Sequence, residues 1–309
     1  MNTPLDLFHR SDRVLMQEMY DRLFALFELL RPMSGGEDVP PVDFQEVEVL
    51  HLADLTTWAQ QLGTETLKSA KDERVPKAIH DIRGGCLAGI LVTLDLIRCG
   101  VYPWGRQFAM QVFRLVRDHL KMFRNCVPQV DPVTVERDRA EHGHSISLLA
   151  EKWKDAAYRL TSEQTLEVVY ECAYEGSISE RCMEFSALDR IVYNCMNNAG
   201  RFAEDGKVYF HIFPIDEGAK PPILRMVLAN RISAAHAAEL RKRFPDGLER
   251  LFSARESTDS SGYGLNICAD FVASAFGLGN WKSAVSRRYI GLKVLDDSFV
   301  VWFHWPSVV

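Results

Sequence analysis

No CxxC pair occurs anywhere in the 309 residues. The seven cysteines (Cys86, Cys99, Cys126, Cys172, Cys182, Cys195 and Cys268) are scattered and odd in number. That spacing favours neither a zinc site nor a disulfide framework, and it reads as reduced thiols. No apolar run approaches the roughly 20 residues a membrane helix needs. The opening MNTPLDLFHRSDR lacks the basic and apolar regions of a signal peptide. Together these absences predict a cytoplasmic protein with no membrane span. Positive charge is not in excess either: 36 Lys and Arg stand against 42 Asp and Glu, for a net charge of -6. Such a balance gives nucleic acid or an anionic membrane no footing. Internal repeats and low-complexity tracts are absent. What is present is 47% hydrophobic and 25% charged, ordinary for a soluble globular chain. The length suits one large domain or two of usual size.

The first half reads as helices. Residues 11–30 place Leu15, Met19, Leu23, Phe27 and Leu30 close to one stripe, with Ser11 as the expected cap. RPMSGGEDVPP (31–41) reads as a linker. Residues 43–72 give a further helical pattern, with Val47, Leu50, Leu55, Trp58 and Leu62 on the buried side. Pro76 suits a first turn, so a new helix is expected from near Val75 through His80 to Arg98. CGVYPWG is a turn. Residues 105–126 form the antiparallel partner, with Phe108, Val112, Leu115, Val116, Leu120 and Phe123 as its apolar side. A last helix is expected over 134–158.

The second half changes character. TLEVVYECAY (165–174) is rich in β-branched and aromatic residues and reads as a strand. Residues 184–203 are helical, 207–213 and 222–232 are strands, and 262–276 is a helix. The chain ends as a β-hairpin turning at Asp296 and Asp297. Helices first, then mixed strands and helices, predict a helical module joined to a separate α/β module. The boundary falls between 128 and 160.

Three short motifs carry chemistry. In NCMNNAGRF, Asn194 and Asn198 are one helical turn apart and share a face. An amide carbonyl on that face is a hard oxygen donor suited to Mg²⁺, which takes oxygen ligands together with substrate phosphates. Arg201, three residues on, is placed to meet a phosphate. The plain alternative is a helix with polar residues beside a core face. In SSGYGLNI, Gly262 and Gly264 stand at a helix start, where backbone N–H groups approach a phosphate closely. A lone GxG also suits an ordinary helix entry. In HDIRGG, His80 and Asp81 stand side by side at the head of an apolar run. A His-Asp pair on a helix is usually surface. The spacing of His142 and His144 in EHGHS resembles half a metal site, but no third ligand accompanies it, and it reads as a solvated turn.

The order HDIR, then NxxxNAxRF, then GxGLxI resembles the histidine kinases of two-component signalling. LERLFSA (248–254) stands where that family carries a short phenylalanine motif. The resemblance spans residues 45–309. It implies three parts: an N-terminal helix and linker (1–42), a dimerisation and phosphotransfer hairpin (43–130), and a Bergerat-type ATP-binding α/β sandwich (131–309). Two amphipathic helices joined by a short turn cannot bury both faces alone, so a homodimeric four-helix bundle is expected. His80 would be exposed on that bundle and accept the phosphoryl group, with Asp81 orienting its imidazole and Arg83 completing the box. Mg²⁺ on Asn198, with Asn194 and Arg201, would serve the phosphates of ATP. Gly262, Gly264 and Leu265 would close over them. A response-regulator receiver domain would take the phosphoryl group. Residues 1–45 are too short for a sensor module, so input would come from an upstream partner or from the N-terminal helix.

Two departures stand out. The adenine motif DxGxG of that family is replaced by Ala229-Asn230-Arg231-Ile232-Ser233, which lacks both glycines. The Asn230 carbonyl oxygen still accepts from an adenine amino group. In the histidine box, Gly84 and Gly85 replace a polar residue and a proline. Without the polar side chain that aligns water in the family, phosphatase activity is not expected. Each glycine also weakens a helix by up to about 1 kcal/mol relative to alanine. Two alternatives follow: a histidine phosphotransferase with a decayed nucleotide site, and a nucleotide-binding interaction protein of this fold.

Overall fold

The computed structural model describes residues 3–35, 42–50, 53–84, 86–154, 157–159, 165–215, 218, 221–253 and 263–308. It divides into two compact units, Met1–Asp138 and Arg139–Val309. The expected class, a helical module followed by an α/β sandwich, is the observed one.

The first unit holds α1 (Arg10–Leu30), α2 (Phe44–Glu48), α3 (Ala53–Gln61), α4 (Thr66–Ser69), α5 (Arg74–Arg83), α6 (Cys86–Arg98) and α7 (Arg106–Cys126). The last helix of this half, α8 (Pro132–Ala140), carries the division between the units. Periodicity explains α1 and α7. Met19, Leu23 and Leu30 are fully buried on α1, and Val112, Val116, Leu120 and Phe123 are buried on α7. Ser11 lies inside α1 rather than capping it: the ring of His9 accepts from the Ser11 N–H.

Two expected continuous helices are broken. Over 43–72 the chain makes α2, α3 and α4. Between α3 and α4 Gly63 turns it at φ +87°, a conformation that disfavours side chains. A Cβ at Gly63 would lie 2.8 Å from Ile79 Cγ2. The turn is held by Asp12 of α1, buried, whose carboxylate accepts from Gly63 N–H at 2.9 Å and Thr66 N–H at 3.0 Å. It also accepts from the Thr66 hydroxyl. The helix through His80 ends at Arg83, and α6 starts afresh at Cys86. Gly84 adopts φ −107° and ψ −140°, outside the helical region, and its N–H still bonds the His80 carbonyl at 3.0 Å. Consecutive weak helix formers place the break there; Gly85 lies outside the described residues. The turn over CGVYPWG and the antiparallel return along α7 are as expected.

The second unit holds β1 (His142–Ser145), α9 (Ser147–Trp153), β2 (Ala157–Arg159), β3 (Thr165–Cys172), β4 (Ser177–Arg181), α10 (Cys182–Phe202), β5 (Lys207–Pro214), β6 (Ile223–Arg231) and α11 (Ala234–Arg243). It continues through α12 (Gly264–Ala275) and α13 (Trp281–Ser286) to the hairpin β7 (Ile290–Leu295) and β8 (Ser298–Pro306). Among the described residues a six-stranded sheet runs β2-β3-β5-β6-β8-β7. Only the β3–β5 pairing in it is parallel. Alternation puts Phe210, Leu228 and Val301 in one cross-strand row, and Ile212, Met226 and Phe303 in the next. These rows are buried and face α10 and α12. The hairpin turns at Asp296 and Asp297, with Asp296 at φ +51°.

The helix expected over 134–158 does not form. HGHS pairs as β1 with β4, antiparallel, and separates α8 from α9. Nor is it a solvated turn: His144 is buried and stacks on Phe185 at 5.1 Å between centroids. The His142 side chain lies outside the described residues.

Candidate functional site

His80 sits in the last turn of α5, one residue from its buried neighbour Asp81. Its Nδ1 lies 3.1 Å from Asp81 Oδ1. An ionised carboxylate only accepts, so this contact puts the ring proton on Nδ1 and the lone pair on Nε2. The expected exposure of His80 is not observed: its side chain is 20% exposed and that of Asp81 is 3%. Arg83 ends the helix and is exposed. Beneath them, α7 carries a second histidine. His119 is fully buried, and burial pushes its pKa down to about 3, so it is neutral. The Ile82 backbone of α5 acts on it in the opposite sense and is outweighed.

In the second unit α10 presents the asparagines. Asn194 is half-buried, and its amide Nδ2 donates to the Arg190 carbonyl at 2.9 Å. That bond leaves the Asn194 carbonyl oxygen as the acceptor. Asn198 is half-buried one turn on, and Arg201 is exposed at the helix end. Beside Arg201, Phe202 stacks on His236 of α11, with centroids 4.5 Å apart. Asn230 lies on β6 and shares the helix-covered sheet face with Leu224, Met226 and Leu228. Its Nδ2 donates to the Arg231 carbonyl at 3.1 Å. Because α10 packs on β5 and β6, the helix of Asn194 and Asn198 and the strand of Asn230 meet in one layer contact.

Gly264 opens α12, with Tyr263 before it, whose side chain does not cap the first turn. Leu265 follows, half-buried. Gly262 lies outside the described residues. Sequence reasoning missed Asn266, which is buried and donates from Nδ2 to the Phe252 carbonyl at 2.8 Å. This bond clasps α12 to the 3-10 helix Leu248–Phe252, in which Phe252 is fully buried. It also missed Arg190, a buried cation whose guanidinium lies 4.3 Å over the Phe271 ring of α12. Burial lowers its pKa to about 9. The Cys268 thiol, raised by burial, reaches the Ile191 carbonyl at 3.9 Å. α10 and α12 are thereby joined by polar as well as apolar contacts.

No family model matches the chain, and no curated protein matches it. Solved structures similar to it include a mycobacterial sensor histidine kinase, MprB, at 14% identity and a TM-score of 0.31, covering 52% of this chain and 89% of that one. A full-length ShkA complex with AMPPNP has 19% identity and a TM-score of 0.34, covering 72% of this chain and 43% of that one. The histidine kinase domain of the blue-light-activated EL346 from Erythrobacter litoralis has 12% identity and a TM-score of 0.34, covering 82% and 94%. Similarity at this level transfers no activity to this chain. Among the described residues, no helix is long and apolar enough to cross a membrane, and no group of three or more metal-binding side chains occurs.

Proposed function

We propose that this chain is a cytoplasmic phosphohistidine signalling protein. In this reading His80 takes the γ-phosphoryl group of Mg·ATP and passes it to an aspartate of a response-regulator receiver domain. The observation that carries the reading is the 3.1 Å contact between His80 Nδ1 and the buried Asp81 carboxylate. It supplies a nucleophile with a fixed tautomer. Nε2 attacks phosphorus, the bond to the bridging oxygen of ADP breaks, and the positive charge left on the ring faces Asp81. Residues 43–130 serve phosphotransfer, and 131–309 serve the nucleotide.

The residues present fit a nucleotide in several ways. The Asn230 amide has its Nδ2 committed to Arg231, so Oδ1 is the group to accept from an adenine amine. The start of α12, twelve residues long and not capped by the Tyr263 side chain, offers N–H groups to phosphate. The Asn198 carbonyl would hold Mg²⁺, with Asn194 beside it and Arg201 on the phosphates. Magnesium there would offset phosphate charge. Gly262, Gly264 and Leu265 would form the closing edge.

One observation favours a second reading, the phosphotransferase. β6 passes into α11 through Ile232 and Ser233 alone. Ile232 is buried, its N–H bonds the Asp297 carbonyl at 2.8 Å, and Ser233 caps α11. No glycine loop follows Asn230, so the adenine edge of the site is built differently. Titration calorimetry separates the two readings. The wild-type chain is expected to bind Mg·ATP and Mg·ADP below millimolar concentration. Asn198→Ala should weaken binding by about tenfold or more, worth ~1.4 kcal/mol, with little change in thermal midpoint. Absence of binding by the wild type at millimolar nucleotide replaces the kinase reading with the phosphotransferase.

A further inference from the structure

We infer that α1 completes the His80-bearing bundle from within the same chain, taking the place on α7 that an open hairpin leaves to a second copy. The expectation of a homodimer rests on apolar faces that two helices cannot cover alone. Here α7 packs against α6 and α5 and also against α1. Met16, Met19, Leu23, Leu26 and Leu30 of α1 are fully buried. The contact is aromatic along its length: Tyr20 meets Phe123 edge-on at 5.6 Å, and Phe27 stacks on Phe113 at 5.3 Å.

Polar ties fix α1 in register at several levels. Near its start, Asp12 grips the turn at Gly63 and Thr66. Midway, the Tyr20 hydroxyl donates to Asp131 at 2.7 Å and accepts from Arg124 Nη1 at 3.1 Å. Arg124 is itself paired with buried Asp138 at 2.7 Å. Arg22 donates to the Leu50 carbonyl at 2.7 Å. Beyond the helix end, Arg106 at the head of α7 donates to the Met33 carbonyl at 2.9 Å. A docking that satisfies buried charges at one end and backbone groups at others has one register, unlike a greasy contact that slides.

What is left on the hairpin decides the matter. Among the described residues, no large hydrophobic side chain of α5, α6 or α7 is exposed; those exposed in this unit (Leu7, Val14, Val49, Leu67, Val101 and Val133) are scattered outside them. A self-complementary dimer needs a contiguous face of about 800 Å² per partner. On the hairpin Ala88 is exposed and Leu91, Val92, Phe108 and Met110 are half-buried, far fewer than the roughly 20–30 residues a side that such a face takes. This inference gives the N-terminal helix a place in the proposed phosphotransfer unit, and it rests on that reading only for its significance. The stability of α6 and α7 then belongs to one chain.

The test is amide hydrogen exchange of the full wild-type chain, with its thermal midpoint, across roughly a hundredfold dilution, since a fold that depends on its partner melts in a concentration-dependent way. Exchange along α6 and α7 and the midpoint are expected to be unchanged, whatever mass light scattering reports, because a dimer formed elsewhere leaves the hairpin covered by α1. Faster exchange of α6 and α7 on dilution, with a falling midpoint and a mass moving from twice 35.2 kDa toward 35.2 kDa, overturns the inference. Neither readout needs nucleotide, so failure here is distinct from failure of the phosphoryl chemistry.

Discussion

Asp81→Asn is expected to leave the fold intact and slow phosphorylation of His80 by about a hundredfold or more. The substitution keeps the shape of the side chain and removes its charge. Two consequences follow at the ring. An amide oriented to donate to Nδ1 stabilises the tautomer with its proton on Nε2, and that nitrogen can no longer attack. An amide oriented to accept keeps the tautomer but offers no charge to the imidazolium that forms. Asp81 is 3% exposed, so water does not replace the lost carboxylate. A small phosphoramidate donor makes the test independent of the nucleotide site: Nε2 attacks phosphorus and ammonia leaves. The variant should be slow with this donor and with Mg·ATP alike. Equal rates for the Asp81→Asn variant and the wild type with both donors would remove Asp81 from the chemistry.

Asp12→Ala is expected to destabilise the helical unit by about 3–5 kcal/mol. Asp12 accepts from two backbone N–H groups and a hydroxyl, all in a buried setting. Alanine leaves the Gly63 and Thr66 N–H groups unsatisfied, at roughly 1–3 kcal/mol each. The glycine turn then loses its anchor while Gly63 remains pressed on Ile79. In a unit of this size the thermal midpoint should fall by roughly 10 °C. Denaturant unfolding followed by helical signal measures it. A loss below about 1 kcal/mol would mean that water or another donor set holds the turn equally well.

Much of the fold was legible where one element buries one face. α1, α7, α10, β3, β5, β6 and the terminal hairpin announce themselves by period. The failures share a cause. The break at Gly84 and the turn at Gly63 are set by glycines inside otherwise helical patterns, where periodicity alone continues the helix. β1 depends on β4, more than thirty residues later, so nothing local in HGHS marks it as a strand. α11 had a readable signal, Ser233 before AAHAAELRKR, and that cap is observed. Asp12 left no signature, because a charge on an apolar stripe reads as a surface residue until its backbone partners are known. The site followed the same rule. The shared helix of Asn194 and Asn198, and the His80–Asp81 contact, come from neighbours in sequence. The partial burial of His80 and the covered-face position of Asn230 come from tertiary packing. The clasp from Asn266 to Phe252 joins residues fourteen apart, and no motif announces it.

The central claim is that His80 carries the phosphoryl group, and γ-labelled ATP tests it most directly. The pure chain with Mg²⁺ is expected to gain acid-labile, base-stable label, located by peptide mapping to Arg74–Arg83, the helix of His80. His80→Gln should lose that label while keeping its thermal midpoint, since a half-buried polar substitution of similar size costs little. Label that persists in His80→Gln, or that maps to another helix, would contradict the account.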